Sequence, residues 1–159
     1  MPEKRHEIRL QQATPEFAGD ISGLHGSLFE KAWDAEGVRR LLEHPASVAL
    51  VTTVERPWRV IGFILAQLTA DEAEILSLGV AATSQRAGIG RRLVQGLIDT
   101  AQRKGAKRIF LDVAAGNAAA IALYQAIGFA QMGRRKEYYS HAGGEREDAL
   151  LMVRDLGVS

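Results

Sequence analysis

The stretch Gln85-Arg86-Ala87-Gly88-Ile89-Gly90-Arg91 has the composition of an anion-binding turn. It follows the apolar run Glu74 to Val80 and opens a segment of helical periodicity. Its backbone N–H groups are therefore those that a helix leaves unpaired at its start. Such groups carry partial positive charge and take phosphate readily, and the two glycines let it approach without a Cβ in the way. Two other phosphate loops do not fit. A P-loop needs Gly-Lys-Ser/Thr, whereas Gly90 is followed by Arg91-Arg92. A dinucleotide fingerprint needs Gly or Ala where Leu93 stands. Read alone, a Gly-x-Gly turn is more often a plain strand-to-helix corner. The charge pattern adds to the anion reading: from Gln85 to Arg108, seven basic residues stand against Asp99 alone, with Asp71, Glu72 and Glu74 just upstream. A basic stretch beside an acidic one suits an anionic ligand meeting a cationic one, although solvated helix faces are often basic too.

Other chemistries find little support. There is no cysteine, which excludes disulfides, thiolate metal sites and cysteine nucleophiles. The four histidines, His6, His25, His44 and His141, have neither metal-ligand nor triad spacing, so no metal is expected.

The elements that must hold the turn are readable in the periodicity. His6 to Gln12 alternates as a strand. Thr14-Pro15-Glu16 predicts a helix capped by the Thr14 hydroxyl and running to about Leu28, and Asp34 caps a second that ends near His44-Pro45. Ser47 to Val54 and Val60 to Leu68 read as strands around a turn at Glu55-Arg56-Pro57-Trp58, and Ala73 to Val80 as another. From Gly88 to Lys104, Ile89, Leu93, Val94, Leu97, Ile98 and Ala101 recur at helical spacing, with Gly105 placed to end the helix. Arg108 to Val113 is a strand, Asn117 caps an alanine-rich helix closed by Gly128, and Phe129–Tyr139 with Asp148–Arg154 forms a hairpin around His141-Ala142-Gly143-Gly144. The order β-αα-βββ-α-β-α-ββ predicts a mixed α/β (α+β) fold: a largely antiparallel sheet of about seven strands with helices on both faces.

The chain has 159 residues, of which 47% are hydrophobic and 25% charged, as expected of a single globular domain spanning 1–159. The net charge of +1 argues against nucleic acid as a partner. With no apolar run of membrane length and no signal-peptide pattern, a cytoplasmic protein without a membrane partner is expected, as a monomer or weak dimer.

With the preceding strand, Gln-x-x-Gly-x-Gly resembles the acetyl-CoA pyrophosphate loop of the GNAT N-acetyltransferase superfamily. The resemblance continues through Leu111-Asp112-Val113, the run Asn117 to Tyr124, and Ile127-Gly128-Phe129. Together with Asp71-Glu72-Ala73, Arg134-Arg135, Tyr138-Tyr139 and Glu147-Asp148-Ala149-Leu150, these are similar to the bacterial ribosomal-protein-alanine N-acetyltransferases (RimI-like). Specific matches run from about Asp71 to Met152; the first seventy residues agree in layout more than in residues.

The resemblance implies acetyl-CoA as cosubstrate and direct attack by an amine on the thioester. It assigns the pantetheine arm to main-chain groups of Leu78, Gly79 and Val80, and the pyrophosphate to the backbone of Arg86, Ala87, Gly88, Ile89, Gly90 and Arg91. Asn117, an N-cap by its position, also holds the cofactor in the family. Tyr124 becomes the general acid for the departing thiolate; by spacing alone it is a core aromatic beside Ala120, Leu123 and Ile127. Asp112 stands where the subfamily carries a glutamate base, one methylene shorter, and Ala114 replaces a usual arginine. The base is accordingly Asp112 through a bridging water, or Glu72 or Glu74, and the three carboxylates can form a vestibule for a cationic N-terminus. Phe29, Trp33, Tyr138 and Tyr139 are candidates to line a peptide groove, or are packing residues. The implied substrate is a protein or peptide N-terminus, an alanine of a ribosomal protein first. The alternatives are a small-molecule amine, or an acyl-CoA-binding regulatory module without catalysis.

Overall fold

Val48 and Leu50 point to one side of a strand and Ala49 and Val51 to the other, and all four are buried, which requires a sheet covered on both faces. The computed structural model, which describes residues 7–85 and 87–157, shows that arrangement. Seven strands, β1 (Arg9–Gln12), β2 (Ser47–Val54), β3 (Arg59–Thr69), β4 (Glu72–Val80), β5 (Arg108–Ala114), β6 (Ala130–Ser140) and β7 (Arg146–Asp155), lie in the order β1-β2-β3-β4-β5-β7-β6. Four helices, α1 (Ala18–Leu28), α2 (Ala35–Glu43), α3 (Ile89–Arg103) and α4 (Ala118–Ala126), divide between the faces. Ile21 of α1 with Val38 and Leu42 of α2 pack on Val51, Phe63 and Leu65. Leu93 and Leu97 of α3 and Tyr124 of α4 pack on the opposite face with Leu50, Ile64, Ile109 and Met152. Among the described residues no helix is long and apolar enough to cross a membrane.

Most local signals act as the sequence predicts. The Asp34 carboxylate accepts from the Gly37 N–H at 2.7 Å, and the Asn117 side chain from the Ala120 N–H at 3.1 Å. Thr14 is a correction. Its hydroxyl makes no capping bond; a 3-10 turn over Pro15–Phe17 brings the Phe17 N–H onto the Thr14 carbonyl at 3.0 Å instead, and α1 starts at Ala18. His6, predicted to open the first strand, lies outside the described residues.

Every strand pairing is antiparallel except that of β4 with β5. That parallel ladder is short: Glu72 opposite Arg108, Ala73 opposite Ile109 and Glu74 opposite Phe110. Just past it, Leu65 of β3 faces Ser77 while Ala66 faces Ile75, so Leu76 is an extra residue in β4. Such a bulge bends its strand. β4 then continues to Val80 and β5 to Ala114 with no pairing between them, and the sheet is open along this slot.

Candidate active site

One wall of the slot is the end of β4. Leu78, Gly79 and Val80 pair with Ile64, Phe63 and Gly62 of β3, and their other edge has no strand partner. Gly79 lies hard against its support: a Cβ there would sit 2.6 Å from the Phe63 ring and 3.0 Å from Leu28 Cδ1. Gly79→Ala is expected to cost about 1–3 kcal/mol through overpacking, read as a lower urea midpoint at unchanged slope.

The turn after β4 carries the predicted anion site. The Gln85 side-chain amide donates to the Val80 carbonyl at 3.1 Å and ties the turn to the slot wall. Gly88 then takes φ 76°, in the left-handed region, as the N-cap of α3. No side chain caps this helix and no acid stands in its first turn. The amides at its start thus keep their partial charge free for a ligand, flanked by the exposed Arg91 and Arg92. Ala87 and Gly88 are exposed, Gly90 is half-buried and Ile89 packs inward. Arg86 lies outside the described residues.

The other wall is β5. Leu111 and Val113 point into the core beneath α3 and α4, so Asp112 between them turns to the α1/α2 face. Its side chain is only 11% exposed, and Oδ1 lies 3.2 Å from Arg135 Nε. The approach is off the N–H line: the atoms make an ion pair, yet Oδ1 remains buried without a hydrogen bond. The Asp112 carbonyl accepts from the Tyr139 hydroxyl at 3.1 Å. Tyr139, half-buried, has its phenol pushed up to about 12, by burial first and then by Asp112.

Tyr124 belongs to the opposite face. It is 4% exposed and meets Phe129 edge-on at 5.3 Å between ring centroids. Burial, and then the Tyr139 phenol, hold its hydroxyl well above the ordinary phenol value, so it is a neutral proton donor. Asp112 and Tyr124 thus belong to opposite faces of the sheet, and the Tyr139 phenol bears on both.

The other predicted bases divide. Glu74 holds the last paired position, and because Ala73 and Ile75 point into the core it turns to the same face as Asp112. Glu72, two residues earlier on the same face, lines a pocket with Glu74 and Phe110 and stands further from the slot. It sits six residues before Leu78, about 20 Å along the strand at the usual rise. There it lies 3.9 Å from Arg108 and lines a separate cavity of about 700 Å³ with Lys107 and Asp155. The ladder that is still closed at that end keeps it out of the slot.

Of the predicted groove residues, Phe29 and Tyr138 are exposed, and Trp33 stacks on the buried His25 at 4.7 Å. His25 Nδ1 accepts from the Trp33 N–H at 3.2 Å, and burial lowers its pKa. Arg135 lies over the Tyr138 ring, 5.3 Å from its centroid. Residues to which the sequence gave no role in a site are Glu30 and Glu147. They hold His141 between them, at 3.2 Å from Nδ1 and 2.9 Å from Nε2. Glu30 follows α1 and is 111 residues away from His141, so no motif could have joined them. Among the described residues no group of three or more His, Cys, Asp or Glu is placed to hold a metal ion.

Three comparisons with known proteins bear on the family and the fold. The model of the Acetyltransferase (GNAT) family matches residues 19–129. The chain is 40% identical over 95 residues, 60% of its length and 64% of the relative's, to the [ribosomal protein bS18]-alanine N-acetyltransferase of Escherichia coli strain K12. It is 43% identical over 86 residues, 54% of its length and 51% of the relative's, to the N-alpha-acetyltransferase RimI of Mycobacterium tuberculosis. The match therefore spans less than two thirds of the length of these curated relatives. The crystal structure of the ribosomal-protein-S18-alanine N-acetyltransferase from Escherichia coli superimposes with a TM-score of 0.88 at 26% identity, covering 96% of both chains. Arabidopsis thaliana NAA60 in complex with acetyl-CoA shares the fold, with a TM-score of 0.84 at 21% identity over 94% of this chain and 99% of that one.

Proposed function

Because the chain belongs to the acetyltransferase (GNAT) family, we propose that it is an acetyl-CoA-dependent N-acetyltransferase whose acceptor is a protein N-terminal amine, first of all an alanine of a ribosomal protein, as the names of its relatives suggest. The observation that carries this reading is the slot through the sheet. An uncapped helix start and a free strand edge line one approach, and a carboxylate and a phenol stand on opposite faces.

The residues present fit the cofactor. The amides of Gly88, Ile89, Gly90 and Arg91 at the helix start would hold its diphosphate, together with Ala87, the sequence-assigned Arg86 and Asn117 at the start of α4. The free edge of Leu78, Gly79 and Val80 would take its amide-bearing arm. Bound there, acetyl-CoA supplies an activated acyl group, and no protein nucleophile is needed. The backbone N–H groups of this edge polarise the acyl oxygen. Asp112, directly or through a water, takes the proton lost by the attacking amine, with Glu74 as the alternative carboxylate on that face. Tyr124 gives a proton to the departing sulfur.

The acid–base set favours an α-amine. Such an amine titrates near 7.7–8.0, so part of it is neutral at pH 7, whereas a lysine side chain near 10.4 needs roughly 3.5 kcal/mol more to lose its proton. Asp112, paired with Arg135, is the carboxylate proposed for that task.

The test is incubation with acetyl-CoA and a library of short peptides, polyamines and aminoglycosides, with the modified amine located by mass spectrometry. Acetylation of the α-amine of Ala-initiated peptides is expected. Transfer only to small amines assigns a different acceptor, and CoA binding without transfer to any amine overturns the enzymatic reading.

A further inference from the structure

Three stretches far apart in sequence meet at His141. Glu30, in the connection between α1 and α2, accepts the Ala142 N–H on Oε1 at 2.8 Å and places Oε2 at 3.2 Å from His141 Nδ1. On the other side of the ring, Nε2 lies 2.9 Å from Oε1 of Glu147. The second oxygen of Glu147 accepts the Gly116 N–H at 2.6 Å, next to the Asn117 that caps α4. Lys31 adds a further tie, donating to Ser140 Oγ at 3.1 Å. A neutral imidazole has one N–H and one lone pair; only the imidazolium donates from both nitrogens. With a carboxylate oxygen against each nitrogen, this geometry is complete only when the ring is protonated.

We propose that His141 is a proton-operated clasp on the amine side of the slot. Protonated, it fastens the β6–β7 hairpin both to the α1–α2 connection and to the β5–α4 turn; neutral, it releases one carboxylate and the hairpin loosens. Its bearing on the acceptor rests on the transferase reading above, in which the α1/α2 face admits the amine. The tip of the hairpin is tied to β5, because Tyr139, two residues before His141, donates to the Asp112 carbonyl.

The charges around the ring agree. The imidazolium is favoured by hydrogen bonds to Glu147 and then Glu30, which raise its pKa. Glu147 is held low by His141 and the Gly116 amide, and Glu30 by the Ala142 amide and His141. Lys31 favours the charged form of Glu30, while Asp148 opposes that of Glu147; Asp148 is itself paired with Arg134, and Asp112 with Arg135. Lys136, Glu137, Glu145, Arg146, Arg154 and Asp155 are the remaining charges of the hairpin. The sign follows. A raised imidazole gives a contribution fully present below its free value of about 6.5 and lost as pH rises through the raised one. The depressed carboxylates set the acid limit, where the contribution is lost as pH falls through their lowered values.

The test has two arms. In the first, hydrogen exchange of the Ala142 and Gly116 amides, corrected for intrinsic base catalysis, is followed against the titration of the His141 ring signals. Protection is expected to fall about two- to tenfold, the equivalent of one ordinary hydrogen bond, as His141 deprotonates. In Glu147→Gln the amide oxygen retains the Gly116 N–H while its NH2 donates to a neutral ring, so protection no longer tracks that titration. Protection that ignores the His141 titration in the unmodified protein overturns the clasp. The second arm measures KM for an Ala-initiated peptide and for acetyl-CoA over the same pH range. A rise in peptide KM alone, with the His141 midpoint and absent in Glu147→Gln, supports gating of the amine; a flat peptide KM beside a moving exchange rate overturns it. Absence of transfer at every pH refutes the transferase reading and the gating with it, while the exchange arm still decides the clasp.

Discussion

Replacing Tyr124 by phenylalanine is expected to lower kcat by about 10²–10⁴-fold, the usual worth of a positioned general acid, and to leave the KM for acetyl-CoA nearly unchanged. The substitution is clean, because the ring keeps its edge-on contact with Phe129 in a site that is 4% exposed, and only the hydroxyl is lost. A core aromatic without a chemical role would leave kcat intact, so the two roles separate in a single measurement. Burial holds the phenol above its ordinary value, so the hydroxyl is protonated through the neutral range. Its transfer to sulfur is uphill in water, from a phenol near 10 to a thiolate near 8.5. A thiolate leaving beside that buried phenol would lose solvation too, which would raise its proton affinity alongside that of Tyr124.

The second large effect concerns the helix start. Acetyl-CoA at 100 times its Kd stabilises a protein that binds it only when folded by about 2.7 kcal/mol, a rise of roughly 5–10 °C in Tm for a chain of this size. In Gly90→Asp that rise is expected to disappear. Gly90 is the second residue of α3 after its cap. An aspartate there reaches the same free amides as the diphosphate and places a negative charge among them. The free variant should melt close to the parent. Acids are welcome in the first turn of a helix, and the new Cβ meets only the end of Leu123 at 3.2 Å. Thermal shift with and without ligand reads both values; an undiminished shift in the variant removes the diphosphate from this turn.

The helices that carry these two residues were legible in the sequence because each depends on local pattern. The periodic stripe from Ile89 to Ala101 fixes α3, and Gly88 and Gly105, both at positive φ, bound it. The caps at Asp34 and Asn117 need only a partner three residues on. What stayed hidden depends on distant chain. The slot exists because β4 and β5 pair for three residues and then part at the Leu76 bulge, and nothing in Glu72 to Val80 distinguishes its paired half from its free half. Glu72 and Glu74 therefore looked alike in sequence, although Glu72 answers Arg108 at the start of the ladder and Glu74 stands opposite Phe110 at its last paired position. His141 between Glu30 and Glu147 was invisible for the same reason. Thr14 failed as a cap on a subtler point, the preference of Pro15–Phe17 for a tighter turn.

The rim formed by β6 also has a bearing on how the protein behaves at high concentration. An outer strand of eleven residues, exposed along most of its length, is the kind of border on which foreign chains assemble into fibrils. Here its ladder with β7 breaks register twice, between Gln131 and Gly133 and again between Arg135 and Tyr139, and Arg134, Arg135 and Lys136 crowd the second break. At the other border β1 has four residues. Neither margin offers an incoming strand a long, straight, uncharged template.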